Sequence, residues 1–71
     1  MIVNFYSANE DGRCSLKETC YAASFYINYE KKFINYWSGL PGDGFQTNKY
    51  KELKMDNKTI SVYKEENWWQ K

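Results

Sequence analysis

Five lysines lie along residues 49–64, interleaved with Tyr50 and Tyr63, and this combination suits contact with nucleic acid. Tyrosine rings stack on bases and lysine ammonium groups neutralise phosphates, which is a common way of binding single strands. The candidate residues are Lys49, Lys51, Lys54, Lys58, Lys64 and Tyr50. Glu52 and Asp56 interrupt the pattern, and lysines on strands also protect a sheet from edge-to-edge association. Binding of single-stranded nucleic acid is therefore an alternative function and not the leading one.

Aromatic residues make up 20% of the chain, which is more than one small core can hide. Tyrosine and tryptophan are enriched at protein interfaces, because they bury a large area while fixing few torsion angles. We expect a partner-binding surface built from Tyr6, Tyr21, Phe25, Tyr63, Trp68 and Trp69.

The groups needed for catalysis are scarce. The sequence contains no histidine, the residue that most often serves as general base and metal ligand. Its two cysteines, expected to be free thiols, cannot complete a four-ligand zinc site alone. The glycine-rich segment 39–45 lacks the P-loop pattern that holds phosphate. We therefore expect no enzyme activity, no catalytic residues, no metal and no cofactor.

Residues 16–38 are predicted to form one long helix that positions the other elements. Ser15 and Glu18 fit a capping box, and Gly39 followed by Pro41 suits a helix end. On a helical wheel, most apolar residues of the segment fall on one side. The competing interpretation is a hairpin in which SFYINY and FINYWS are strands joined by EKK, because aromatic residues and isoleucine favour strands. A strand at 13–20 is a further alternative that the capping box opposes.

The remaining segments predict strands around this helix. We expect a strand at 2–8, a loop at 39–48, a hairpin at 49–64 turning at Asp56-Asn57, and an aromatic tail at 65–71. The predicted fold class is α+β: a single β-α-β-β domain, in which the helix packs on a three-stranded antiparallel sheet. The predicted core consists of Val3, Phe5, Ala22, Ala23, Tyr26, Ile27, Phe33, Ile34, Trp37, Leu40, Leu53, Met55, Ile60 and Val62.

Charge and composition narrow the function further. The net charge of +1 is far from that of a strongly basic nucleic-acid binder. Lysine, asparagine, tyrosine and isoleucine have AT-rich codons, and their abundance is typical of a low-GC bacterium or a bacteriophage. The sequence shows no signal peptide and no membrane span, so we expect a cytoplasmic protein without a membrane partner.

The leading expectation is a small non-enzymatic protein-binding module. Such a module, of the kind a bacteriophage encodes, inhibits or modulates a larger host protein by occluding a site on it. A structural homodimer formed by uncovered sheet faces is the second alternative.

Overall fold

The computed structural model describes residues 1–64, which form seven β-strands and no helix. The strands are β1 (Ile2–Ala8), β2 (Cys14–Tyr21), β3 (Ser24–Asn28), β4 (Phe33–Trp37), β5 (Gln46–Lys49), β6 (Glu52–Met55) and β7 (Thr59–Tyr63). A four-stranded sheet has the order β2-β1-β7-β6, and a three-stranded sheet has the order β3-β4-β5. Neighbouring strands are antiparallel except β1 and β7, which run parallel. The described residues therefore contain no helix long and apolar enough to cross a membrane.

The predicted helix at 16–38 is wrong, and with it the α+β fold class and the single three-stranded sheet. This segment holds most of β2 together with β3 and β4, which form the competing hairpin with Phe25 opposite Tyr36. Ser15 does not cap a helix: its hydroxyl donates to Asn9 Oδ1 at 3.0 Å. Aromatic and β-branched side chains pack well on a pleated surface, and this preference outweighs the two capping signals.

The turn between β3 and β4 carries no glycine that would have marked it in the sequence. Lys32 supplies the left-handed conformation there, with φ of 60°. Asn28 closes the turn, because its Oδ1 accepts a hydrogen bond from the Lys31 amide at 2.8 Å. Asparagine side chains commonly satisfy backbone amides in turns in this way.

The chain crosses from one sheet to the other within two residues at Ala22-Ala23. The Ala22 amide donates to the Met1 carbonyl at 2.7 Å, in the four-stranded sheet, and the Met1 amino group donates back to Ala22 O at 3.0 Å. The next amide, that of Ala23, donates to Trp37 O at 2.7 Å, in the three-stranded sheet. β2 and β3 are thus two halves of one bent strand.

A second crossing lies at Tyr50-Lys51, between β5 and β6. The Tyr50 amide donates to Lys32 O at 2.9 Å, and the Lys51 amide donates to Tyr63 O at 2.7 Å. Strands that bend from one sheet into the next form the corners of such two-sheet packings. The two corners wrap both sheets around a single core.

The core contains eight buried hydrophobic side chains, from both sheets and both corners: Val3, Phe5, Ala22, Ile34, Tyr36, Tyr50, Ile60 and Val62. The rings of Phe5 and Tyr36 meet across the sheets, with centroids 5.9 Å apart. Six of the eight were predicted, whereas Tyr36 and Tyr50 were not. The assignments of Ala23, Tyr26, Leu40 and Met55 to the core are wrong, since all four residues are exposed, the last three by 62%, 63% and 44%.

Candidate functional site

The outer face of the four-stranded sheet carries a patch of aromatic and aliphatic side chains. Alternation along β1 turns Val3, Phe5 and Ser7 into the core and leaves the intervening side chains outside. Paired residues on neighbouring strands share a face, so Tyr21 lies beside Ile2, and Leu16 and Tyr63 lie on either side of Tyr6. We call this patch the tyrosine face, which consists of Ile2, Tyr6, Leu16, Tyr21 and Tyr63.

Two parallel tyrosine rings form the centre of this face. Tyr6 and Tyr63 are direct neighbours on β1 and β7, and their rings stack with centroids 4.8 Å apart and planes tilted by 16°. The Lys54 ammonium lies 5.6 Å from the centroid of the Tyr63 ring, within the range of a cation–π interaction. The stack is therefore held in place before any partner arrives.

Other exposed side chains share this face with the stack: Leu16 lies next to Tyr6, whereas Ile2 and Tyr21 lie beyond a polar row of Asn4, Thr19 and Ser61. Leu16, Tyr21 and Ile2 are 51%, 58% and 42% exposed, so each still has apolar area to bury. On β6, Glu52 and Lys54 put opposite charges on the exposed border of the sheet. An apolar centre bordered by mixed charges is the usual arrangement of a protein interface.

The structure places three of the six predicted partner-binding residues together. Tyr6, Tyr21 and Tyr63 share the tyrosine face. Phe25 lies apart from them, on β3 of the other sheet, and is 38% exposed. Trp68 and Trp69 lie outside the described residues.

Two members of the tyrosine face were missed by the sequence analysis. Ile2 lies in the segment predicted as a strand at 2–8, and Leu16 lies in the segment wrongly predicted as a helix at 16–38. Strand alternation alone would have placed Leu16 on the same face as Cys20, which packs against the core. The irregularity of the β1–β2 register at Lys17 turns Leu16 to the outer face instead.

The five candidate nucleic-acid-binding lysines do not lie on one surface. Lys54 lies on the outer face of the four-stranded sheet, whereas Lys49 pairs with Phe33 on the outer face of the three-stranded sheet. Lys58 is in the β6–β7 turn and Lys51 in the second corner. A groove that follows a phosphate backbone needs these charges side by side.

Tyr50 and Lys64, the other two residues of that hypothesis, are used by the fold. Tyr50 is only 6% exposed, so its faces are not available for stacking on bases, and burial raises the pKa of its hydroxyl. The Lys64 ammonium donates to Asn48 Oδ1 at 2.8 Å, which links the end of β7 to β5. Burial lowers the pKa of Lys64, an effect that the nearby Glu18 carboxylate opposes.

A second aromatic group lies on the outer face of the three-stranded sheet. The rings of Trp37 and Phe45 approach with centroids 6.4 Å apart. The loop before β5 folds back to satisfy the indole, because Trp37 Nε1 donates to Asp43 O at 2.9 Å. Ser38 fixes the same loop by donating to Asp43 Oδ2 at 2.7 Å. Here the rings support the conformation of a loop.

Both cysteine thiols lie in the part of the chain that the structure describes. Cys14 and Cys20 are free thiols, and the Cys20 thiol donates to the Tyr36 hydroxyl at 3.3 Å. Burial raises the pKa of the Cys20 thiol and of the Tyr36 hydroxyl, so neither group is activated at neutral pH. Among residues 1–64, no three cysteine or acidic side chains converge to hold a metal ion.

Compared with known protein families, with curated proteins and with solved structures, the chain matches none.

Proposed function

We propose that this chain is a non-enzymatic protein-binding module whose tyrosine face docks on a larger protein. The tyrosine face is the observation that supports this most: it gathers five apolar or aromatic side chains on one uncovered sheet face. Rings of this kind supply much of the affinity at interfaces, because they exchange water contact for close packing. Occlusion of a site on that protein makes the module an inhibitor or modulator, as expected for a phage-type accessory protein.

The arrangement of the stack favours a tight contact. Tyr6 and Tyr63 already rest on each other, so docking freezes few additional side-chain torsions. Leu16 lies beside the stack, and Tyr21 lies beside Ile2 near the start of β1. Both are more exposed than the two rings, so they gain most from being covered. We expect these four side chains to carry most of the binding energy.

Leu16→Glu and Leu40→Glu form a matched pair of variants that tests the location of the surface. Both leucines are exposed, by 51% and 63%, but Leu40 lies in the loop after β4, away from the tyrosine face. A carboxylate within the docking surface must lose water without gaining a partner, so Leu16→Glu should weaken binding at least about tenfold. Leu40→Glu should bind like the unaltered protein.

The measurement is affinity capture from a nuclease-treated lysate of the host cell, followed by titration of the purified captured protein. Nuclease removes proteins that are retained only through nucleic acid. Circular dichroism and urea unfolding check that both variants remain folded. Equal affinity of the captured protein for the Leu16→Glu and Leu40→Glu chains would overturn the assignment of the tyrosine face.

A further inference from the structure

The strand β3 has an open edge. It pairs with β4 on one side, and no other strand of residues 1–64 is its neighbour. An edge strand presents unpaired amide and carbonyl groups in a regular row, which is a template for another strand. Proteins usually prevent such pairing with charges, irregular backbone or short strands.

The three other edge strands in the described residues carry these protections. β2 contains Lys17 and Glu18, and its register against β1 is irregular at this point. β5 and β6 are only four residues long; β5 ends in Lys49, and β6 contains Glu52 and Lys54. Each of these edges therefore resists pairing with a second chain.

β3 has none of the protective features found on the other three edges. Its five residues, SFYIN, include no charge, proline or glycine, and they pair with β4 without a shift of register. Phe25 and Tyr26 are 38% and 62% exposed, so apolar area accompanies the open backbone. An uncharged and aromatic edge of regular register favours addition of a strand.

The order of residues in β3 makes the strand complementary to itself. If two copies run antiparallel about a two-fold axis at Tyr26, Ser24 lies opposite Asn28, and Phe25 lies opposite Ile27. The two Tyr26 side chains meet each other at the axis. Polar residues thus face polar ones, apolar residues face apolar ones, and no like charges are opposed.

We propose that β3 pairs antiparallel with β3 of a second copy of this chain, joining two three-stranded sheets into one six-stranded sheet. A two-fold axis makes such a contact closed, so association stops at a dimer. The tyrosine face lies on the other sheet and stays open in this dimer. Dimerisation is therefore independent of the proposed docking function, and either can fail alone.

Opposite charges introduced at position 26 test this pairing, because the two-fold axis places residue 26 of one chain next to residue 26 of the other. Sedimentation equilibrium should show the mass rising from 8.5 kDa towards twice that value as the concentration increases. Tyr26→Lys and Tyr26→Glu should each remain monomeric, since like charges meet at the axis. An equimolar mixture of the two variants should recover the dimer. Leu16→Lys, a matched change on the β2 edge, should dimerise like the unaltered chain.

Three results would overturn the proposal. One is an unaltered chain that stays monomeric at about 1 mM, where even weak complexes form. Another is a dimer lost in Leu16→Lys but kept in Tyr26→Lys, which would assign self-association to the tyrosine face. The third is a mixture of folded, monomeric lysine and glutamate variants that does not associate.

Amide hydrogen exchange of the unaltered chain gives a test without substitutions. Dimerisation should slow exchange in β3 as the protein concentration rises, while β5 and β6 stay unchanged. Exchange in β3 that does not depend on concentration, in a sample shown to be dimeric, would place the contact elsewhere.

Discussion

Asp56 organises the turn between β6 and β7 through a single carboxylate oxygen. Its Oδ1 accepts hydrogen bonds from the amides of Lys58 and Thr59, both at 2.9 Å, and from the Thr59 hydroxyl at 2.8 Å. These hydrogen bonds hold the pKa of Asp56 below its usual value, and the largest effect comes from the Lys58 amide, followed by the Thr59 amide and the Thr59 hydroxyl. The charged form of this carboxyl therefore favours the folded state.

This hydrogen bonding predicts an acid-dependent loss of stability. The aspartate side chain of an unfolded chain has a pKa of about 3.9, so the stabilisation by Asp56 is complete above that pH. It is lost as the pH falls through the lower pKa of the folded state. The unaltered chain should be more stable than Asp56→Asn at neutral pH, and the difference should shrink on acidification. Urea unfolding at a series of pH values measures this, and a difference that does not change with pH would contradict it.

Turn chemistry of this type was readable from the sequence. Asp56-Asn57 marked a hairpin turn because aspartate side chains accept hydrogen bonds from amides that follow them. The β3–β4 turn, which only the competing hairpin interpretation placed at EKK, lacks such a signal, because a lysine, Lys32, takes the left-handed conformation there. A turn can be predicted from residue types only where it is formed by residues that favour turns, such as aspartate, asparagine or glycine.

At the scale of the elements, the first corner depends on two small residues that pack against each other. Gly39 follows β4 with φ of 99°, and a Cβ atom built on it would lie 2.9 Å from Ala23 Cβ. Ala23 is the residue by which β3 begins to pair with the end of β4. A side chain at position 39 must therefore strain the backbone and push on the corner.

Gly39→Ala should destabilise the fold by about 1–3 kcal/mol, from the unfavourable φ and the crowding at Ala23. Gly44→Ala is the matched control, because a Cβ atom there meets nothing within 4 Å and its φ is outside the left-handed region. That change should stay within about 0.5 kcal/mol. Thermal or urea unfolding of both variants checks the difference, and equal effects would show that the corner tolerates a methyl group.

The period of the apolar pattern decided which elements could be predicted. In β1 and β7, apolar residues alternate, and Val3, Phe5, Ile60 and Val62 were correctly assigned to the core. In residues 33–37, a helical period grouped Ile34 with Trp37. The strand period groups Ile34 with Tyr36, which explains why the buried Tyr36 was missed.

At the scale of the whole molecule, an aromatic contact between Phe5 and Tyr36 joins the two sheets. Phe5 is 2% exposed, and its ring meets Tyr36 of the other sheet. A chain of 71 residues is expected to have a folding stability of about 4–11 kcal/mol in total. Loss of a single large core ring therefore removes a substantial fraction of it.

Phe5→Ala should cost about 3–5 kcal/mol and leave a chain that unfolds at far lower urea concentration, if it folds at all. Ile60→Val, which removes one methylene group from the same core, should cost about 0.5–1.5 kcal/mol. Far-UV circular dichroism in urea measures both. A loss below about 1 kcal/mol for Phe5→Ala would show that the sheets are held together by other contacts.

The tyrosine face shows why the site was only partly predictable. Tyr6 and Tyr63 were both expected on a partner-binding surface, but they are 57 positions apart in the chain. Their stacking depends on the parallel pairing of β1 with β7, for which the sequence carries no local signal. Composition led us to expect a partner-binding surface, whereas only the strand order gave the centre of the candidate surface.

The parallel pairing of the first and last described strands also has a consequence for biosynthesis. Val3 and Phe5 lie opposite Ile60 and Val62, so the core cannot close until β7 has been made. At roughly 5–20 residues per second, the ribosome adds the intervening chain in about 3–12 s. During this time β1 lacks β7, its parallel neighbour at the centre of the four-stranded sheet. A nascent chain of this protein therefore completes its folding only after β7 has left the exit tunnel.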